Sequence, residues 1–283
     1  MRVLELNGGR VEGEGDAWRF ALSPVSKGYA NAQIDDLGSL RRGAYPWRPG
    51  ACLQLRARFS HPAGQLRGTA GFGFWNAPFR EPSLLAPALP QCAWFFYASA
   101  PNDLPLALEG PGRGWFVSTL DASPAKVWAL APLGPFLALA LRHSRIRDRL
   151  WPWLRRRLGI SFGSLATDIT AWHDYSLHWS EGGCRFGVDG QTVLETPHSP
   201  AGPQGFVCWM DNRYLIASPT GRLKWGILRV GREQWMEVEQ LEIGQASVLG
   251  AAAEPAPSAG SKSGQPQAAA PAMAGRIGAV RDA

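Results

Sequence analysis

Alternating apolar and polar side chains dominate residues 172–225. Apolar residues occupy every second position of 175–179, and a second alternation covers 184–188. Asp189-Gly190 follows this second run, and Gly tolerates the positive φ that tight hairpin turns require. A third alternating run covers 206–214. This half of the chain therefore predicts a β-meander, with Trp209 and Asp211 on one strand face together with Arg213.

The first half of the chain has the same character. We predict strands at Ala17–Leu22 and Ala51–Phe59, the second of them half-buried, an apolar strand at Cys92–Ala98 and a short strand at Trp115–Leu120. Residues 31–36 carry four polar side chains and are predicted to form a loop. Residues 68–79 are rich in glycine and aromatic residues, and alternate glycines in a strand allow a ligand or another backbone to approach closely.

Residues 127–158 interrupt the β pattern. The uncharged run 127–141 is too short, and too broken by proline and glycine, to span a bilayer. A helix is predicted from about 136 to 150, with Leu139, Ile146, Leu150 and Trp153 on one stripe and arginines on another. Two interpretations remain open: contact of residues 136–158 with an anionic membrane surface, or a helical flap packed on the sandwich.

Composition and length favour one large domain. We assign residues 1–248 to an all-β sandwich with 127–158 as an insertion, within a chain of 283 residues. Residues 249–283, rich in Ala, Pro, Gly and Ser, are predicted to be disordered because they cannot bury enough apolar surface. The 13 Trp residues either fill a two-sheet core or line a groove.

Positive charge is concentrated in one segment. Residues 142–158 contain seven arginines and one acid, which equals the net charge of +6 for the whole chain. The remaining 22 basic and 22 acidic residues balance, so we expect no nucleic-acid binding, which needs a broad basic face.

The four cysteines are predicted to be small buried hydrophobic residues, because none forms a CxxC pair. We expect no bound metal and no cofactor, since no metal-ligand cluster or phosphate-binding loop is present. The first residues lack the apolar core of a signal peptide, which favours a cytoplasmic protein, with a location at the membrane periphery as the alternative.

The run WHDYSLHW, followed by CRFGVDG, resembles the closing half of the concanavalin A-like sandwich of laminarinase-type (family 16) glycoside hydrolases. The resemblance implies a jelly-roll β-sandwich with a carbohydrate cleft. Such enzymes carry E-x-D-x-x-E or E-x-D-x-E on one cleft strand, which supplies two carboxyls about 5 Å apart. The equivalent strand here, Gln91–Tyr97, contains no acid, so the hydrolase chemistry does not carry over.

We therefore predict non-hydrolytic binding of a saccharide, glycolipid or other flat apolar ligand in an aromatic groove. The alternative is an enzyme: an atypical glycosidase using Asp211 with Asp35 or Asp36, or a cyclase or isomerase in which Asp211 protonates an isoprenoid-like substrate. The predicted ligand-binding residues are Gln33, Trp75, Asn76, Trp94, Phe96, Trp209 and Asn212, and the candidate catalytic acids are Asp211 and Asp35.

Overall fold

A computed structural model describes residues 1–78, 89–104, 106, 112–217 and 222–245. The predicted disordered segment 249–283 lies outside these residues. In chain order the strands are β1 Arg2–Leu6, β2 Gly9–Glu14, β3 Ala17–Leu22, β4 Asn31–Asp35, β5 Ala51–Phe59, β6 Thr69–Trp75, β7 Gln91–Ala98, β8 Gly114–Asp121, β9 Ser161–Ser164, β10 His173–Ser180, β11 Gly183–Val188, β12 Gln191–Thr196, β13 Gly205–Asp211, β14 Arg213–Ala217, β15 Leu223–Ile227 and β16 Gln234–Gln245. The α-helices are α1 Pro124–Leu130, α2 Gly134–Ala140 and α3 Ser144–Arg157.

Two seven-stranded antiparallel sheets form the body of the protein. The front sheet has the order β1-β4-β13-β6-β7-β8-β9, and the back sheet has the order β12-β11-β10-β5-β16-β3-β2. Strands β14 and β15 form a separate two-stranded hairpin. The long chain separations between neighbours, such as β4 beside β13, are those of a jelly roll. The predicted all-β fold, a jelly-roll sandwich of two sheets, is confirmed.

The core lies between the two sheets and is aromatic. Trp115 and Trp179 are among its largest fully buried side chains. Phe72, Phe95 and Trp115 of the front sheet contact Tyr175 of the back sheet, with ring centroids 5.0–5.8 Å apart. All four cysteines are buried and free, as predicted. Because inward positions alternate with outward ones along each strand, this packing turns a second set of front-sheet residues away from the core.

Two segments differ from the sequence prediction. Residues 31–35 are strand β4 and not a loop, because β4 pairs along its whole length with β1 and β13. This pairing compensates for the few apolar residues in the segment. The predicted run 206–214 is broken at Asn212: Asp211 ends β13, whereas Arg213 begins the hairpin. Arg213 therefore does not share a strand face with Trp209 and Asp211.

The insertion is helical, as predicted, but it is not one helix over 136–150. The chain turns between α2 and α3, since His143 has an extended ψ of 120° and begins a new helix. The predicted apolar stripe is not the packed face, because Leu139 and Ile146 are exposed while Leu154 and Arg155 are buried. The Arg155 guanidinium donates a hydrogen bond to the Leu106 carbonyl. No helix in the described part of the chain is long and apolar enough to cross a membrane.

Candidate functional site

A band of aromatic side chains crosses the outer face of the front sheet. We call these side chains the aromatic row: Trp75, Trp94, Phe96, Phe116, Phe162 and Trp209. Strand pairing explains the alignment, because residues directly opposite each other share a face. Phe96 lies opposite both Gly71 and Phe116, and Trp209 lies opposite Gly71. The side chains flanking Gly71 therefore lean over the space that this glycine leaves open.

The rings of the aromatic row contact one another in sequence. Trp75 stacks on Trp94 with a centroid distance of 4.8 Å and an interplanar angle of 27°. Trp94 also lies 4.8 Å from Phe96 and 5.7 Å from Trp209. Phe116 continues the row towards the sheet edge, 5.3 Å from Phe96 and 5.0 Å from Phe162. The predicted aromatic residues therefore form a continuous series of ring contacts.

One end of the aromatic row is covered by the chain itself. Phe116 is fully buried and packs with Leu106 and Ile160, and α3 is held against the same loop through Arg155. Trp75 and Trp94 remain half-buried. Phe96 and Trp209 are buried, and Phe162 at the sheet edge is half-buried. Trp75 and Trp94 are therefore the two adjacent rings of the row that are both partly accessible.

Trp94 carries an unsatisfied donor. Its indole Nε1 is buried and has no hydrogen-bond partner among the described residues. A buried indole N–H normally finds an acceptor, because leaving it unpaired costs about 1–3 kcal/mol. Because the nitrogen itself is inaccessible, the part of Trp94 that a ligand can meet is the exposed portion of its ring.

Asp35 lies at the rim of the aromatic row but is fully engaged. Its carboxylate is completely buried and forms an ion pair with Arg2, with 2.6 Å between Arg2 Nη2 and Asp35 Oδ2. Gln33 Nε2 donates to the same oxygen at 2.8 Å, and the Leu37 amide donates to Oδ1 at 3.1 Å. Gln33 is half-buried and lies opposite Trp209. Of these two predicted site residues, Gln33 is the one that a ligand can reach.

Asp211 sits at the far end of β13, where it organises its neighbours. Thr69 Oγ1 donates to Asp211 Oδ1 at 2.7 Å and accepts a hydrogen bond from Trp209 Nε1 at 3.1 Å. Tyr29 donates to Oδ2 at 3.3 Å. Burial raises the pKa of Asp211, while the hydrogen bonds from Thr69 and from the Arg213 amide oppose that rise. The carboxylate therefore fixes the orientation of the Trp209 ring through Thr69.

The two predicted asparagines are held by the backbone. Asn212 is fully buried; its Oδ1 accepts from the Ala30 amide at 2.8 Å, and its Nδ2 donates to the carbonyls of Gly28 and Leu228. Asn76 is also buried and bonds to the backbone of Leu89 and Gln91. In this conformation neither side-chain amide is free to contact a ligand, although Asn76 directly follows Trp75 in the chain.

The candidate acids do not form a pair. Asp35 lies opposite Val207, four positions before Asp211 on β13, which corresponds to about 13 Å along the strand. Glycoside cleavage needs carboxyls about 5–9.5 Å apart. Asp36 is occupied by Trp47 Nε1 at 2.5 Å and the Phe206 amide at 2.7 Å. Among the described residues no group of three or more His, Cys, Asp and Glu side chains could hold a metal ion.

Sequence reasoning missed several contributors to this surface. Phe116 and Phe162 extend the aromatic row. The strand predicted at Trp115–Leu120 could have identified Phe116, because successive side chains of a strand point to opposite faces and Trp115 lies in the core. Thr69, Tyr29 and Arg2 partner the two candidate acids from distant parts of the chain. No local pattern indicates such contacts, since they depend on the order of the strands.

Comparison with known proteins adds fold-level similarity alone. No protein-family model matches the sequence, and no curated protein sequence matches it. Similar solved structures include an endo-acting O-glycanase described from human gut microbiota (12% identity, TM-score 0.43, covering 83% of this chain and 82% of that one). A Bacillus licheniformis β-glucanase is 10% identical, with TM-score 0.40 and coverage of 84% and 89%. A legume lectin-like domain from Entamoeba histolytica is 9% identical, with TM-score 0.43 and coverage of 84% and 87%. At identities of 9–12% and TM-scores of 0.40–0.43, the similarity assigns no role to any individual residue of the site.

Proposed function

We propose that the protein binds a saccharide-bearing ligand at the Trp75–Trp94 end of the aromatic row without cleaving it. The stacked, half-buried rings of Trp75 and Trp94 carry this proposal. The apolar face of a sugar ring stacks on an indole, and polar groups at the rim fix its orientation. Gln33, opposite Trp209, offers an amide at the rim.

The surrounding chemistry favours binding over catalysis. Strand β7 brings no carboxylate to the surface, and the two nearest candidates are tied to Arg2, Thr69 and backbone amides. A general acid must reach the substrate oxygen that it protonates. An acid whose oxygens already accept two or three hydrogen bonds serves orientation instead, which also weighs against the cyclase or isomerase alternative.

Replacing Trp94 with alanine tests the proposal. The ligand would be a soluble β-1,3-glucan oligosaccharide titrated by calorimetry, followed by mass spectrometry of the recovered sugar. We expect Trp94→Ala to weaken binding by about 30-fold, the loss of about 2 kcal/mol typical of a central tryptophan. Trp94→Phe keeps an aromatic ring of smaller area at this position, so an intermediate loss is expected.

Trp172 provides the matched control. It is a half-buried tryptophan that lies under Arg56 and Arg58 of the back sheet, with the Arg58 guanidinium 4.8 Å from the ring centroid. Trp172→Ala should leave the affinity unchanged. Equal losses in the two alanine variants, or shortened sugar products released by the wild-type protein, would count against the proposal.

A second candidate function is contact with an anionic membrane surface through residues 136–158. Phe136 and Leu139 are 67% and 62% exposed, and seven arginines lie within 142–158. Exposed apolar side chains beside arginines suit the interface between lipid headgroups and acyl chains. The double variant Phe136→Ser/Leu139→Ser should bind at least tenfold more weakly to vesicles containing phosphatidylserine, as measured by co-sedimentation. Unchanged sedimentation would reject this candidate.

A further inference from the structure

The hairpin β14–β15 exposes an apolar face. In its register Leu215 lies opposite Trp225, and Ala217 lies opposite Leu223. Directly opposed residues share one face of a ribbon. On that face Trp225 is 70% exposed and Leu223 is 61% exposed, while Leu215 and Ile227 are also exposed. This ribbon thus presents large hydrophobic side chains to its surroundings.

The opposite face of the hairpin is the packed one. The Tyr214 ring lies over Gly226, where an added Cβ would come within 2.8 Å of the ring. Ile216 forms a parallel bridge with Asp103, and the Leu215 amide donates to Asn102 Oδ1 at 2.8 Å. The hairpin is therefore anchored to the body of the protein, and its exposed apolar face is a fixed feature of the fold.

Charge within the hairpin segment is of one sign. Residues 212–232 contain five basic residues and no acid, although Asp103 of the neighbouring loop contacts the hairpin. Together with 122–158, which hold eight basic residues and one acid, they account for 13 of the 29 basic residues and one of the 23 acids. The rest of the chain has 16 basic and 22 acidic residues and is net negative. The net positive charge is thus concentrated in two segments.

The two segments meet the same loop. The Asp103 amide donates to the Leu215 carbonyl of the hairpin, and the carbonyl of Leu106 accepts from Arg155 of α3. Leu106 also packs on the aromatic row. The hairpin and α3 therefore contact the same loop at Asp103 and Leu106, two residues that are three positions apart. Both elements lie beside the part of the front sheet on which Leu106 packs.

We propose that the β14–β15 hairpin docks on an anionic lipid bilayer. Its exposed indole and aliphatic side chains enter the interface, where tryptophan is favoured because one part of the ring is apolar and another is a hydrogen-bond donor. The basic side chains of the segment attract the negatively charged headgroups. Lys224 pairs with Ile216 and therefore leaves the ribbon on the other face from Trp225, but its side chain is exposed and its charge acts on the membrane over several ångströms. The segment combines exposed apolar side chains with net positive charge. An anionic bilayer complements both features, whereas an apolar protein surface complements only the first.

The test uses the full-length protein and two kinds of vesicle, pure phosphatidylcholine and phosphatidylcholine with 30% phosphatidylserine. Wild-type protein should sediment with the anionic vesicles. Leu223→Ser/Trp225→Ser should bind at least tenfold more weakly, and Lys224→Glu about tenfold more weakly. Because Lys224→Glu leaves the apolar face intact, it tests the proposal even if the double variant loosens the hairpin.

Val3→Ser is the matched control, since Val3 is an exposed apolar residue on β1, at the opposite edge strand of the front sheet. It should bind like wild type. Wild-type affinity in both hairpin variants would overturn the proposal, even if the Phe136→Ser/Leu139→Ser variant lost binding. A wild-type dimer in light scattering that becomes monomeric in Leu223→Ser/Trp225→Ser would identify a second copy of the chain as the occupant instead. Saccharide affinity measured without vesicles reports on the aromatic row separately.

Discussion

Replacing Gly68 with alanine is expected to lower the melting temperature by about 10 °C or more. Gly68 has a φ of +103°, which side chains rarely adopt, and it lies just before β6. An added Cβ would come within 1.8 Å of the Asp211 carbonyl oxygen and 2.6 Å of the Asn212 Cα. Because both contacts are with backbone, no rotamer change can relieve them, and we expect a loss of about 4 kcal/mol.

The consequences would be concentrated at one end of the aromatic row. The Gly68 amide donates to Ser99 Oγ at 2.9 Å, and the Gly68 carbonyl accepts from the Ser99 amide at 2.9 Å. A shift of this segment would also move Thr69, which joins Asp211 to Trp209. Thermal unfolding followed by circular dichroism measures the loss of stability, and fluorescence of the native state reports any change around the tryptophans.

Gly64 provides a control with a similar backbone. Its φ is +97°, yet a Cβ there would meet nothing within 4 Å. Gly64→Ala should therefore show only the conformational cost, about 1–2 kcal/mol. Similar melting temperatures for the two variants would show that backbone crowding at Gly68 has been overestimated.

Much of the sandwich was predictable from local pattern. Strands β3 and β5 have the bounds that alternation predicts, and the turn after β11 has positive φ at both Asp189 and Gly190. In these segments, polar residues turn outward and apolar residues turn inward, so burial itself enforces the pattern. The absence of an acidic residue from β7 could also be read from the sequence, because it requires only that this one strand be located correctly.

The features that sequence did not predict depend on contacts between distant segments. Strand β4 is defined by its two neighbours and not by its own composition. The hairpin β14–β15 inverts the usual pattern, since its apolar face is exposed and the opposite face is packed. The roles of Asp35 and Asp211 follow from partners at Arg2, Tyr29 and Thr69, which strand order alone brings together.

Asn212→Ala is expected to destabilise the protein by about 3 kcal/mol with little effect on ligand affinity. The buried Asn212 side chain makes three hydrogen bonds to the backbone, a buried one to Ala30 and partly buried ones to Gly28 and Leu228, and the loss of each costs about 1 kcal/mol. Asn212→Asp should be no better at neutral pH, since a carboxylate oxygen would face the two carbonyls that Nδ2 now serves. Chemical denaturation measures both changes.

Gln33→Ala is expected to have the opposite effect from Asn212→Ala. Together the two variants distinguish a residue that stabilises the fold from one that binds the ligand. The Gln33 side chain is half-buried, and Nε2 makes a hydrogen bond to Asp35, which retains Arg2 and the Leu37 amide as further partners. Gln33→Ala should therefore cost less than about 1 kcal/mol in stability while weakening oligosaccharide binding severalfold. If Asn212→Ala lost affinity under conditions where it remains folded, and Gln33→Ala did not, the ligand would lie at the Asp211 end of β13. The open Trp75–Trp94 end would then be excluded as the binding site.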